Sequence, residues 1–70
     1  MNATELKVQM IRKCKSAEQM YEAIGISSAA WYRKIGGKSE FTQGEITKIR
    51  QELDLTDAET TLIFFSEEVS

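Results

Sequence analysis

Gly37, Lys38 and Ser39 spell the last three positions of a phosphate-binding loop, in which glycine amides and a lysine cradle a polyphosphate. The first glycine of that motif would fall at Tyr32 and no strand-like run precedes it, so the triplet reads as a chance match. Cys14 stands between Lys13 and Lys15, a setting that can activate a thiol. It also continues the four-residue spacing of Leu6 and Met10, which assigns it to the core as a small hydrophobe. Glu18 and Glu22 fall on the outer face of a helix, and the later acids are scattered or placed as caps, so no acid–base pair assembles. Asn2-Ala3-Thr4 has the form of a glycosylation acceptor, but helix capping explains its asparagine.

Nothing in this set brings a nucleophile, a base and an orienting group together, and no enzyme is expected. The 70 residues include no histidine and one cysteine, which excludes an internal disulfide, the usual Cys/His zinc set and His-dependent catalysis. No cofactor, metal or small-molecule ligand is therefore expected. No apolar run reaches the roughly 18 residues of a membrane-spanning helix, and the N-terminus lacks a secretory apolar stretch, so the expected location is cytoplasmic.

A hydrophobic share of 41% with 29% charged residues is ordinary for a globular chain, and residues 1–70 are expected to form one domain with one small core. The net charge of −2 conceals an asymmetry. Residues 7–38 carry Lys7, Arg12, Lys13, Lys15, Arg33, Lys34 and Lys38 against Glu18 and Glu22, a balance of +5. Residues 39–70 carry Lys48 and Arg50 against eight acids, a balance of −6, and Glu5 supplies the remaining −1. A basic N-terminal half facing a polyanion is compatible with that division.

The elements that would position these charges are marked by their caps. Asn2 with Glu5, Ser16 with Gln19, Thr42 with Glu45 and Thr56 with Glu59 each place a capping side chain three residues before Glu or Gln. Gly25 suits the left-handed position that ends a helix, and Ser27 beyond it caps the next. With no proline and four glycines, the pattern predicts an all-α fold of five helices over about 3–14, 17–24, 28–35, 43–53 and 57–67. The apolar stripes are Leu6, Met10 and Cys14 with Ile11 beside them, Met20 and Ile24, Trp31 and Ile35, Ile46, Ile49 and Leu53, and finally Ala58, Leu62, Phe65 and Val69.

Within this order, Ser16 to Gly37 reads as two short helices joined by a tight glycine turn, the spacing of a helix-turn-helix. On its second helix Trp31 and Ile35 face one way. Ala29, Arg33 and Gly36 face the other, with Tyr32 on the flank. Such a slim outer face allows close backbone approach to base edges, and Arg33 is suited to bidentate bonding with guanine.

The segment SAEQMYEAIGISSAAWYRKIGG resembles the helix-turn-helix of Cro-like and lambda-repressor-like phage regulators. WYRKIGGKSEFTQGEI is similar to small regulators from phages and prophages of Gram-positive bacteria, and the likeness extends over essentially the whole chain to the final IFF. The resemblance implies a five-helix lambda-repressor-like DNA-binding domain, with Met20, Ile24, Ile26, Trp31 and Ile35 between the two helices. It implies Ser27, Ser28, Ala29, Tyr32 and Arg33 at or near base edges, and Ser16, Ala17, Lys34, Lys38 and Ser39 near phosphates. Two positions depart from the family pattern. Tyr21 stands where a small alanine is usual, and Ala17 stands where a glutamine often contacts phosphate.

The implied activity is that of a Cro-like transcriptional repressor, whose third helix enters the major groove and which occludes a promoter. Its expected partner is double-stranded operator DNA, bound as a two-fold symmetric homodimer with Phe64 and Ile63 at the dimer face, and the sequence leaves open whether that dimer also forms without DNA. The rival reading is a protein-binding module, an antirepressor or accessory domain that keeps the fold without DNA binding. The net negative charge, the two glutamates of the second helix and Tyr21 speak for it.

Overall fold

Asn2, Ser16, Ser27, Thr42 and Thr56 each accept a hydrogen bond from the backbone amide three residues on, so every helix begins on a capping side chain. The structure is a computed structural model that describes residues 1–65. Its helices are α1 (Ala3–Arg12), α2 (Ala17–Ile24), α3 (Ser28–Ile35), α4 (Gln43–Leu53) and α5 (Asp57–Thr60), the last passing into a π-helical turn over Thr61–Phe65. Among the described residues there is no strand, and no helix is long and apolar enough to cross a membrane.

Three of the four expected capping boxes close on both sides, at Ser16 with Gln19, Thr42 with Glu45 and Thr56 with Glu59. The first closes on one side only. The Asn2 amide donates instead to the Ile63 carbonyl at 2.7 Å, and the Glu5 carboxylate accepts from the Gln9 side chain at 3.3 Å. That pairing ties the start of α1 to the C-terminal turn.

Helices end by a second device. The amides of Lys15, Ile26, Lys38 and Leu55 each return to the carbonyl five residues back, which satisfies acceptors that a helix end leaves open. The closure requires a left-handed residue just before, and Cys14, Gly25, Gly37 and Asp54 supply it with φ of 58°, 81°, 86° and 52°. Two of these are glycines. Cys14 is neither glycine nor core: α1 stops at Arg12, two residues short of the expected end, and the thiol is exposed. Ile11, expected on the buried stripe, is 75% exposed for the same reason, because the buried face of α1 runs through Leu6, Gln9 and Met10.

A left-handed non-glycine residue costs about 1–2 kcal/mol; a glycine removes that cost, less what its freer unfolded chain takes back. Cys14→Gly is therefore expected to raise stability by about 0.5–1 kcal/mol, read as a higher urea midpoint at unchanged slope. A lower midpoint would show that the thiol contributes packing its exposure does not reveal.

The core gathers Leu6, Met10, Met20, Ile24, Trp31, Phe41, Ile49, Leu53, Leu55 and Ile63. α2 packs chiefly on α4, and α1 packs on the C-terminal turn. Phe41, which the apolar stripes pass over, sits at its centre: its ring meets Trp31 edge-on at 5.6 Å and Phe64 at 5.9 Å. It immediately precedes the Thr42 cap, while Ile46, four positions into α4, lines the same cleft, the arrangement of a hydrophobic staple.

The last helix departs most from expectation. Its α-helical part is only four residues long, and the expected residues 66–67 and Val69 lie outside the described residues. The wider π turn changes the phase from Thr61 on, so Ile63 is buried whereas Leu62 and Phe65 are exposed; in the α-helical turn before it Thr60 is buried and Ala58 exposed.

Two cap glutamates also bind across helices. Glu59 accepts from Gln9 of α1 at 3.4 Å, and Glu45 accepts from Lys34 of α3 at 2.8 Å. Partial burial pushes the Glu45 carboxyl up, but the hydrogen bond from Lys34, the Thr42 amide, the Lys34 charge and the Thr42 side chain together hold it below the ordinary value of 4.5. The Thr56 amide leads in lowering Glu59, against some desolvation and with help from the Thr56 side chain, Lys13 and Arg12. A carboxyl depressed in the folded state contributes stability above its unfolded value and loses it as pH falls through its folded value. Thermal midpoints are therefore expected to fall as pH drops below 4.5, and Glu45→Gln should flatten that slope.

Candidate functional site

Three residues join α2 to α3. Gly25 adopts the left-handed conformation and a Cβ there would meet nothing, so its conformational freedom, not close packing, selects it. The Ile26 amide closes on the Tyr21 carbonyl at 3.0 Å while its side chain packs against the core. Ser27 then accepts from the Ala30 amide at 3.1 Å and starts α3. The glycine closure and the serine cap fix where α3 points.

α3 is anchored by Trp31, which is 2% exposed, and by half-buried Ile35. Opposite them Ser28, Ala29, Tyr32, Arg33 and Gly36 are all exposed, with Tyr32 at 60%, and the next loop adds exposed Lys38 and Ser39. Five of the expected residues are therefore gathered on and just beyond one strip of small groups: Ser28, Ala29, Arg33, Lys38 and Ser39. Tyr32 borders it. Neither Arg33 nor Lys38 takes part in an ion pair among the described residues. Ser27 and Ser16 are exposed at the starts of α3 and α2, but their oxygens already serve as caps.

Three expected site residues are placed elsewhere. Lys34 points away from the strip: its ammonium bonds Glu45 at 2.8 Å and the Glu40 carbonyl at 3.4 Å, and lies 5.7 Å from the centre of the Phe41 ring. It is engaged within the fold and is not a free cation for phosphate. Ala17 packs its methyl against the core, which leaves only its backbone amide to offer at the start of α2. Ile63 is fully buried and presents no surface to a partner. Phe64 is half-buried and packs on the core through Phe41, while Leu62, Phe65 and Met1 are the exposed apolar groups near the chain ends.

Beside the α3–α4 loop opens a cleft of about 490 Å³ walled by Met1, Ile35, Phe41, Ile46, Phe64 and Phe65. Of the strip only Gly36 and, from the following loop, Ser39 line that cleft. Tyr21 lies on α2, half-buried against the core. Partial desolvation, then Glu18, Glu22 and Tyr32, raise its phenol above the ordinary value of 10.0, so at neutral pH it is an uncharged neighbour of the strip. The exposed charges around the strip are thus Arg33 and Lys38 on one side of the account and Glu18, Glu22 and Glu40 on the other.

Compared with protein-family models, with curated proteins and with solved structures, the chain gives no significant match.

Proposed function

We propose that this protein is a sequence-specific double-stranded-DNA-binding regulator of the Cro-like, lambda-repressor-like class, which reads the major groove with α3 and represses by occluding a promoter. One observation carries the reading. α3 exposes Ser28, Ala29, Tyr32 and Arg33 on a continuous strip, directly after a left-handed glycine turn, with Trp31 buried beneath it. A helix with small residues outward can approach base edges closely, and an unpaired arginine supplies the commonest specific contact, two bonds to guanine. α2 crosses behind it, its N-terminal amides available to a phosphate, and Lys38 and Ser39 extend the strip toward the backbone. The activity uses no cofactor.

Two copies are needed to read a symmetric site. Three half-exposed side chains, Met1, Leu62 and Phe65, offer on the order of 300 Å² between them. A stable interface takes roughly 800 Å² per partner, more than these three side chains supply by themselves, so pairing is expected to be strongest where DNA holds two copies side by side.

Arg33→Ala is expected to weaken binding to the selected site by about 1–3 kcal/mol and to relax preference at one base position. Lys38→Ala is expected to weaken all sequences alike and to reduce the salt slope by about one unit. Competition binding against single-position operator variants reads both. Equal affinity of wild type and Arg33→Ala for every duplex would remove α3 as the reading element.

The second reading, a protein-binding module that keeps this fold, is favoured by one observation. α2 carries exposed Glu18 and Glu22 and no cation, which repels a phosphate backbone laid across it.

A further inference from the structure

Lys34 is the point at which α3 is fastened to α4. The backbones of the two helices scarcely approach one another, so their relation is carried by side chains. One tie is Trp31 against Phe41. The other is the Lys34 ammonium, which meets the Glu45 carboxylate at 2.8 Å, the Glu40 carbonyl at 3.4 Å and the face of Phe41 at 5.7 Å. The same Glu45 oxygen accepts the Thr42 amide at 2.9 Å, so the cation from α3 is built into the N-terminal cap of α4.

An ion pair whose members keep 15% and 17% of their side-chain surface adds little net stability, because water still reaches it and two long side chains must be held still. Its geometry is worth more than its energy. Three groups converge on one ammonium, and α3 has only two turns and one fully buried residue to resist rotation about its own axis. A rotation of that helix by one residue, about 100°, would replace the strip with its flank. We infer that Lys34 is a positioning residue, which sets the rotation of α3 against α4 and with it the direction in which Ala29, Tyr32 and Arg33 project. That placement is a property of the free protein; its consequence for base recognition rests on the DNA-binding reading above.

The test compares wild type with Lys34→Met, Lys34→Arg and Leu6→Val, the last a mild core loss on α1, which packs on the C-terminal turn. The orientation of α3 relative to α4 is measured in the free proteins by amide residual dipolar couplings, beside thermal midpoints and selection from a random duplex pool. Lys34→Met is expected to turn α3 by 10° or more and to change or blur the selected motif, with about a ten-fold loss of preference over random duplex. Lys34→Arg, which keeps the charge and reach, should restore both readings. Leu6→Val should lower the midpoint and leave the orientation and the motif alone. Couplings in Lys34→Met that fit the wild-type orientation, whatever its midpoint, would overturn the inference. A turned helix with no motif selected even by wild type would uphold Lys34 as a positioning residue and overturn the DNA reading instead.

Discussion

Replacing Trp31 with alanine is expected to remove about 3–5 kcal/mol, a third or more of the stability of a chain this size. The indole is 2% exposed, lies edge-on to Phe41 at 5.6 Å and is the one fully buried side chain that α3 contributes. Truncating a buried aromatic to alanine costs about 3–5 kcal/mol through lost transfer energy and the cavity left behind. At roughly 0.05–0.15 kcal/mol per residue, a chain of 70 residues holds about 3.5–10 kcal/mol, so one such loss consumes between about a third and all of the total. Trp31→Phe, which keeps an aromatic edge for Phe41, should retain a cooperative transition at a lower midpoint. Urea melts followed by far-ultraviolet circular dichroism separate the cases. A Trp31→Ala protein within about 1 kcal/mol of wild type would mean that α3 is not held by its tryptophan.

The second large effect is expected at Gln9→Glu. Gln9 is 1% exposed and its amide nitrogen faces two carboxylates, Glu5 at 3.3 Å and Glu59 at 3.4 Å, while its oxygen is buried without a partner. A carboxylate at that position removes both donated bonds and sets three like charges together, a loss of about 3–5 kcal/mol at pH 7. Burial and its neighbours both raise the pKa of the new carboxyl in the folded state. The group then titrates higher folded than unfolded, so the deficit grows as pH rises from about 4.3 toward its folded value and shrinks again on acidification. Wild type moves the opposite way in acid, because the Glu45 and Glu59 carboxyls are depressed. Melting curves of the two proteins should accordingly converge as pH is lowered. Gln9→Met, which removes the unpaired oxygen along with the donors, is expected within about 1 kcal/mol of wild type. Parallel curves for Gln9→Glu and wild type across the acid range would show that the site is wetter than its burial indicates.

The helix starts were legible because each is written in local chemistry. Ser16, Thr42 and Thr56 stand three residues before Gln19, Glu45 and Glu59, and the structure closes all three boxes. The ends were less legible where no glycine marks them. Gly25 and Gly37 announce their turns, but Cys14 and Asp54 take the same left-handed position against their own preference, because the chain must turn there into the next cap. The outward strip of α3 followed from a period of 3.6 once Trp31 was taken as the inner residue.

What a helical wheel could not give is anything that depends on another element. Lys34 looked like a surface cation because the Glu45 that holds it is eleven residues away on the next helix. Gln9 drew no notice because the Glu59 that its amide meets lies fifty residues on. Phe41 fell between helices, although a large apolar residue just before the Thr42 cap, with Ile46 four positions into α4, is a local staple signal. Ile63 and Leu62 exchanged roles because α5 widens after Thr60, and an extra residue in the turn slips every later side chain around the axis.

Reading of DNA by the α3 strip is tested most directly by selection from a random duplex pool by wild type and Arg33→Ala, at two salt concentrations. Wild type is expected to enrich a two-fold symmetric motif at both salts, more sharply at the higher one as non-specific phosphate binding is screened away. Arg33→Ala should lose one guanine position in each half-site. Recovery of no motif by wild type at either salt, from a protein whose melting curve shows it folded, would contradict DNA reading by α3.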